Sequence, residues 1–248
     1  RVFIPSKLQD NPALLANDPR YVNKLMASGS AELVRAWLEG DWEAGLEGKM
    51  IRMDWFVRYS APPARESFDH VAMSVDAAVK ANAGNSANVI SVWGRCGPRI
   101  YLLHVWRERV QYGDLKTAIR DVARQFNPNV VLIEDKGNGS TAIQELRNEA
   151  DFRWPILAVL PVADKVIRMS GESPAVQAGM VQIPAVSASS PTWLAPFETE
   201  VALFPEAEEK DQVDTMSQAL WYFRTQEGGG FGFDFVAQAK PTVTFSPD

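Results

Sequence analysis

Soft metal ligands are almost missing from this sequence of 248 residues. Cys96 is the one cysteine, so no intrachain disulfide can form, which fits a reducing compartment. His70 and His104 are the two histidines, and no Cys or His group stands at zinc spacing. A bound metal should therefore rest on oxygen ligands, which points to magnesium or manganese. Positive charge is also short: 25 Lys and Arg face 31 Asp and Glu, for a net charge of −6. Bulk attraction to nucleic acid is disfavoured, and any contact with it must be local. No apolar run approaches the roughly 20 residues that span a bilayer, and no signal peptide opens the chain. No G-x-x-x-x-G-K-[ST] loop occurs, so ATP hydrolysis is not expected. Two histidines leave no readable Ser-His-Asp arrangement. The chain starts at Arg1 rather than Met and reads as a piece of a longer protein.

What is present is enough apolar material for one sizeable core, at 46% of residues. Residues 1–60 read as an arm with one helix over 21–39, and the Pro62-Pro63 pair marks a boundary before a main domain at 61–226. Alternation of Val71, Met73 and Val75 predicts a strand at 70–76, and runs rich in β-branched and aromatic residues predict strands at 88–93 and 100–106, joined by Gly- and Asn-containing links at 82–87 and 94–98. The period then changes. Helices are expected over 113–126, 140–149, 164–178, 192–203 and 211–223, with short strands at 130–134, 156–160 and 180–183 between the first four. Residues 227–248 read as a loosely ordered, Gly-containing tail. Trp193 and Trp221 read as core. An antiparallel three-strand meander followed by alternating helices and strands predicts an α/β fold with a mixed sheet flanked by helices.

Three carboxylate positions stand out within that order. Asp76 ends the first strand. Glu134 ends a short buried strand, with Asp135 beside it. Asp211 opens the last helix, with Asp214 one turn on. Taken singly, each has an ordinary explanation: a solvated turn residue, a helix cap, or a group favoured by the helix dipole. Together they suit chemistry that needs carboxylates converging from different elements, as hydrolysis of a phosphodiester by two divalent ions does. Lys165 and Arg168, at i and i+3 on one predicted helix, and Lys136 near Glu134, are candidates for meeting a phosphate; a plain solvated surface is the alternative.

Four stretches carry a family resemblance. They are SVDAAVKA at 74–81, VVLIEDKGNGSTAIQEL at 130–146, DKVIRMSGESPAVQAGMVQIP at 164–184 and KDQVDTMSQALWYF at 210–223. In that order they resemble the C-terminal nuclease domain of the large terminase subunit of tailed bacteriophages. FIPSKLQDNP at 3–12 and AWLEGDW at 36–42 resemble the segment that joins the family's ATPase domain to its nuclease domain. Two departures stand out: Asn85-Ser86-Ala87 lies where relatives often carry a further Asp, and Lys210 precedes Asp211 where they often carry paired Asp.

The resemblance implies an RNase H-like fold and an endonuclease that cuts concatemeric double-stranded DNA with two Mg2+ or Mn2+ ions. It implies Asp76, Glu134 and Asp211 as metal ligands, with Asp214 auxiliary, and Lys165, Arg168 and Lys136 on DNA. It further implies a portal protein and a small terminase subunit as partners, no membrane, and a place in the host cytoplasm, docked transiently on the procapsid. Two rivals are another RNase H-like nuclease, such as a junction resolvase, and a catalytically weak docking module of the packaging motor.

Overall fold

A computed structural model describes residues 50–78 and 87–226 and the backbone of 235–237. The strands are β1 (Val57–Tyr59), β2 (His70–Asp76), β3 (Asn88–Cys96), β4 (Arg99–Glu108), β5 (Val130–Glu134), β6 (Ile156–Pro161), β7 (Val181–Pro184) and β8 (Phe235–Ala237). The helices are α1 (Tyr112–Phe126), α2 (Asn138–Asn148), α3 (Lys165–Gln177), α4 (Leu194–Leu203) and α5 (Asp211–Gln226). One eight-stranded sheet runs in the order β1-β7-β4-β3-β2-β5-β6-β8. The β2-β3-β4 meander is antiparallel, while β5 and β6 add in parallel beside β2, and β7 adds in parallel beside β4. This is the mixed sheet that the change of hydrophobic period predicts.

Alternation along the strands divides the core in two. Val71, Met73, Val75, Val131 and Ile133 point to one face, where they meet Leu115 and Ile119 of α1 and Ile143 and Leu146 of α2. Ala72, Val130 and Leu132 point to the other, where they meet Met169 of α3, Phe197 of α4 and Val213, Met216 and Leu220 of α5. By the same parity Asp76 and Glu134 belong to the second face. Fully burying such side chains contributes about 1.5–3 kcal/mol each, so the two layers fix which face each strand presents. Trp221 lies in the second layer, and Trp193 packs against it half-buried.

Three features differ from the sequence reading. The packed unit begins before the Pro62-Pro63 pair, because β1 pairs with β7 and both Ile51 and Phe56 are buried in the core. The tail contributes β8, which pairs antiparallel with β6. Gly94 sits within β3 rather than in a link, and a Cβ there would lie 2.7 Å from the Phe68 ring. Its role is close packing, and the chain turns later, at Gly97 with φ of 56°. Residues 1–49 of the arm, with its helix at 21–39, and the link at 82–87 apart from Ala87, lie outside the described residues.

The helices carry their own local explanations. Asp164 caps α3 by accepting from Val166 N at 2.7 Å and Ile167 N at 3.2 Å. Pro174 inside α3 leaves the Ser170 carbonyl without its usual partner, and Ser173 Oγ donates to that carbonyl at 2.9 Å. Helix α5 is buried from Gln212 through Phe223, so it runs through the protein rather than along its surface.

Candidate metal centre

Neighbouring parallel strands bring the first two carboxylates together. The β2–β5 register pairs Val75 with Ile133, so Asp76 and Glu134 follow side by side at the carboxyl ends of adjacent strands. The first turn of α5 then lays Asp214 over the same strand ends. Oxygen atoms of Asp76, Glu134 and Asp214 all lie within 4.8 Å of one another. The space between them is narrow and is lined by Val75, Asp76, Glu134, Asp214, Thr215 and Gln218. Ser74 Oγ donates to Gln218 Oε1 at 2.5 Å and ties the sheet to α5 beside the cluster.

Helix α3 supplies the counter-charge. Lys165 Nζ lies 2.8 Å from Asp76 Oδ2, 2.7 Å from Asp211 Oδ1 and 3.3 Å from Asp214 Oδ2. Arg168 Nε donates to Asp214 Oδ1 at 3.0 Å, while its Nη2 reaches both oxygens of the same carboxylate and stands 3.8 Å from Glu134 Oε2. Arg168 Nη1 also donates to the Ala163 carbonyl at 2.8 Å. Arg168 and Asp214 are each 3% exposed, so the pair is a buried, forked ion pair.

The structure thus rearranges the roles read from sequence. Asp214 stands in the converging group of three, and Asp211 joins the others through Lys165. Arg168 is buried against a carboxylate rather than presented to a phosphate, because α3 turns its i, i+3 face inward to α5. Lys165 points into the same cluster. Lys136 is exposed at the rim, within reach of the Glu134 charge. Asp135 is outside the converging group, and its backbone N–H donates to the Val159 carbonyl at 2.8 Å.

The electrostatics follow from burial. Desolvation pushes the Asp76 carboxyl up to about 7; Lys165 opposes this, and Asp214, Asp211 and Glu134 add to it. Desolvation and then Asp214 raise Glu134, against Arg168, Lys165 and Lys136. Burial works against the Lys165 ammonium, but Asp76, Asp214 and Asp211 outweigh it and hold the proton more tightly than usual. Four carboxylates here face two cations, which leaves room for added positive charge. Hard oxygen donors, three of them convergent, fit a magnesium or manganese ion.

Asp76 carries a pH consequence. Between its ordinary value near 3.8 and about 7, the folded metal-free chain keeps a proton that the unfolded chain has released. Folding stability from this group is therefore full below that window and is lost as pH rises through it. Asp76→Asn removes the effect. Thermal melts in chelator should show the variant gaining on the wild type as pH rises from about 5 to about 8. A constant difference between the two would contradict the shift.

Gly139 explains how Glu134 is held. A Cβ at Gly139 would lie 2.0 Å from the Glu134 carbonyl oxygen, which is backbone and cannot step aside. Gly139→Ala must therefore push the start of α2 away from the end of β5. It is expected to cost about 2 kcal/mol or more, as overpacking does, and to weaken Mn2+ binding, measurable by denaturant melts and calorimetry.

The profile described as "Terminase RNaseH-like domain" matches residues 73–223, from within β2 to near the end of α5. The chain belongs to that family. Every member of the carboxylate cluster lies inside the matched segment, as do Lys165 and Arg168. Among solved structures, the large terminase of a thermophilic bacteriophage is similar at 12% identity and a TM-score of 0.56, covering 90% of this chain and 54% of that one. The same phage protein in complex with ADP gives 10% identity and 0.56, over 90% of this chain and 55% of that one. At such identity the likeness concerns the fold alone, which is RNase H-like. The human cytomegalovirus terminase nuclease domain scores 0.49 at 11% identity, over 76% of this chain and all of that one, and adds nothing to the argument. Comparison with curated protein sequences finds no match. The chain spans about half the length of the thermophilic phage's large terminase, at 54%.

Sequence reading alone missed Gln218, Ser74 and Thr215 beside the cluster. The one available signal was their fixed spacing from Asp214 and Asp76, which acquires meaning only when α5 is laid across β2.

Proposed function

We propose that this terminase RNaseH-like domain is a divalent-metal-dependent endonuclease that cuts concatemeric double-stranded DNA during genome packaging. The observation that carries the reading is the convergence of Asp76, Glu134 and Asp214 at the ends of β2, β5 and the start of α5. Asp76 and Glu134 would hold the ions, Asp214 would share them when Arg168 shifts its grip, and Asp211 would reach the group from the Lys165 side. Two Mg2+ or Mn2+ ions, when bound, would supply the charge that activates water and stabilises the leaving 3′ oxygen. Lys165 would orient the Asp76 and Asp211 carboxylates, and exposed Lys136 would meet a phosphate of the duplex. A portal protein and a small terminase subunit are the partners this role requires, with the protein in the host cytoplasm and docked on the procapsid while it works.

One observation favours a second reading, in which the domain docks without cutting. Lys165 and Arg168 already engage the carboxylates. Nicking of supercoiled plasmid separates the two. The purified chain should nick in Mg2+ and more strongly in Mn2+, and a chelator should stop it. Plasmid left intact in both metals by folded protein would favour the docking module.

A further inference from the structure

The first turn of α5 carries Asp211 and Asp214, yet it has no cap of its own. Lys210 occupies the capping position: its carbonyl accepts from Asp214 N at 3.0 Å, but its side chain offers no acceptor. The first N–H groups of a helix need partners, and a buried helix start cannot take them from water. Here they come from another helix. Glu200 of α4 accepts from Gln212 N at 2.7 Å and from Val213 N at 2.9 Å through Oε1. Its Oε2 accepts from Gln212 Nε2 at 2.7 Å. Gln212 Nε2 also reaches the Pro196 carbonyl at 3.4 Å, one turn earlier in α4.

Glu200 is 6% exposed, and burial raises its pKa against the hydrogen bonds from Gln212 and Val213. These partners are amides rather than cations. A buried carboxylate held in this way is an expensive cap, since Ser or Asp at position 210 would close the helix locally. What the arrangement adds is a fixed relation between α4 and the turn that carries two of the four clustered carboxylates. Val213, whose N–H it holds, is the residue before Asp214.

We infer that Glu200 is a positioning residue for the carboxylate cluster, acting through the first turn of α5. The inference rests on the cluster being a metal site. A group that orients ligands from behind typically accounts for about 10–100-fold in metal affinity.

The test is Mn2+ binding to the full chain, read by calorimetry and by the spin resonance of free manganese, with folding checked by circular dichroism. Glu200→Ala should bind about 10–100-fold more weakly than wild type. Glu200→Gln keeps one acceptor for the backbone but turns a donor toward Gln212 Nε2, and should lose about fivefold. Lys210→Ser in the Glu200→Ala background restores a local cap and should recover most of the affinity. Lys210→Ala in that background removes the same charge without a cap and should recover none. Wild-type affinity in folded Glu200→Ala, or in Glu200→Gln if the alanine variant does not fold, overturns the inference. Equal recovery by Lys210→Ser and Lys210→Ala overturns it too, because charge would then be the cause. A wild-type chain that binds no Mn2+ would instead overturn the metal reading itself, and the inference with it.

Discussion

Arg168→Ala is expected to lower the unfolding free energy by about 3–5 kcal/mol, the cost of leaving a buried charge without its partner. Arg168 and Asp214 are both almost wholly buried, and the guanidinium fork engages the carboxylate with three contacts. Removing the arginine leaves Asp214 beside Asp76 and Glu134, offset chiefly by Lys165 and, at Glu134, by exposed Lys136. Arg168→Lys keeps the charge but loses the fork and should fall in between. Urea unfolding in chelator measures both. Added Mn2+ should restore part of the loss in the alanine variant, because a divalent ion can take over neutralisation of Asp214. An arginine that served only a phosphate would behave otherwise: the melt would stay where it was and DNA affinity alone would drop.

Glu134→Gln and Asp76→Asn should each reduce plasmid nicking by about 10³-fold or more, since a misplaced ion forfeits several kcal/mol of transition-state stabilisation. Both variants keep the size of the side chain and should remain folded. Asp211→Asn and Asp214→Asn are the informative pair. The family resemblance implies Asp211 as a ligand and Asp214 as auxiliary, whereas the geometry puts Asp214 in the converging trio and Asp211 one lysine away. The Asp214 variant should therefore lose both activity and stability, and the Asp211 variant should retain the larger share of each. Wild-type nicking by Asp76→Asn in Mn2+ would remove the cluster from the reaction.

Much of the layout was legible because each element carries its own period. β2 alternates Val71, Met73 and Val75, β3 and β4 are rich in β-branched and aromatic residues, β5 is a short apolar run closed by Glu134, and α1 shows a clean inward stripe of Leu115, Ile119 and Val122. Their order along the chain was enough to bring Asp76 and Glu134 to the same end of the sheet. Helix α5 defeated the same approach. Its stripe of Val213, Met216, Leu220 and Phe223 suggests an amphipathic helix, but the helix is buried all round. With no polar face to set its rotation, nothing local distinguishes Asp211 from Asp214. Arg168 was misread for a related reason. At i+3 from Lys165 it looks like half of a basic surface, and only the acidic turn of α5, 46 residues away, turns that face inward. Glu200 had no signal at all, because a cap supplied by a different helix leaves no motif. β1 and β8 are three residues each, too short for a pattern, and are specified by the strands they join.

The short edge strands have a kinetic side. The four innermost strands are β4, β3, β2 and β5, and the first three are consecutive in sequence, whereas β1 at the sheet edge must find β7 across more than a hundred residues. Contacts between near neighbours close little loop entropy and form early; the distant edge pairings come late and open first. Amide hydrogens of β2, β3 and β5 should therefore exchange last, and those of β1 and β8 soonest. The carboxyl ends that carry Asp76 and Glu134 belong to the slow centre. The two strand-borne carboxylates would then persist as a preassembled pair through edge fraying that never reaches global unfolding.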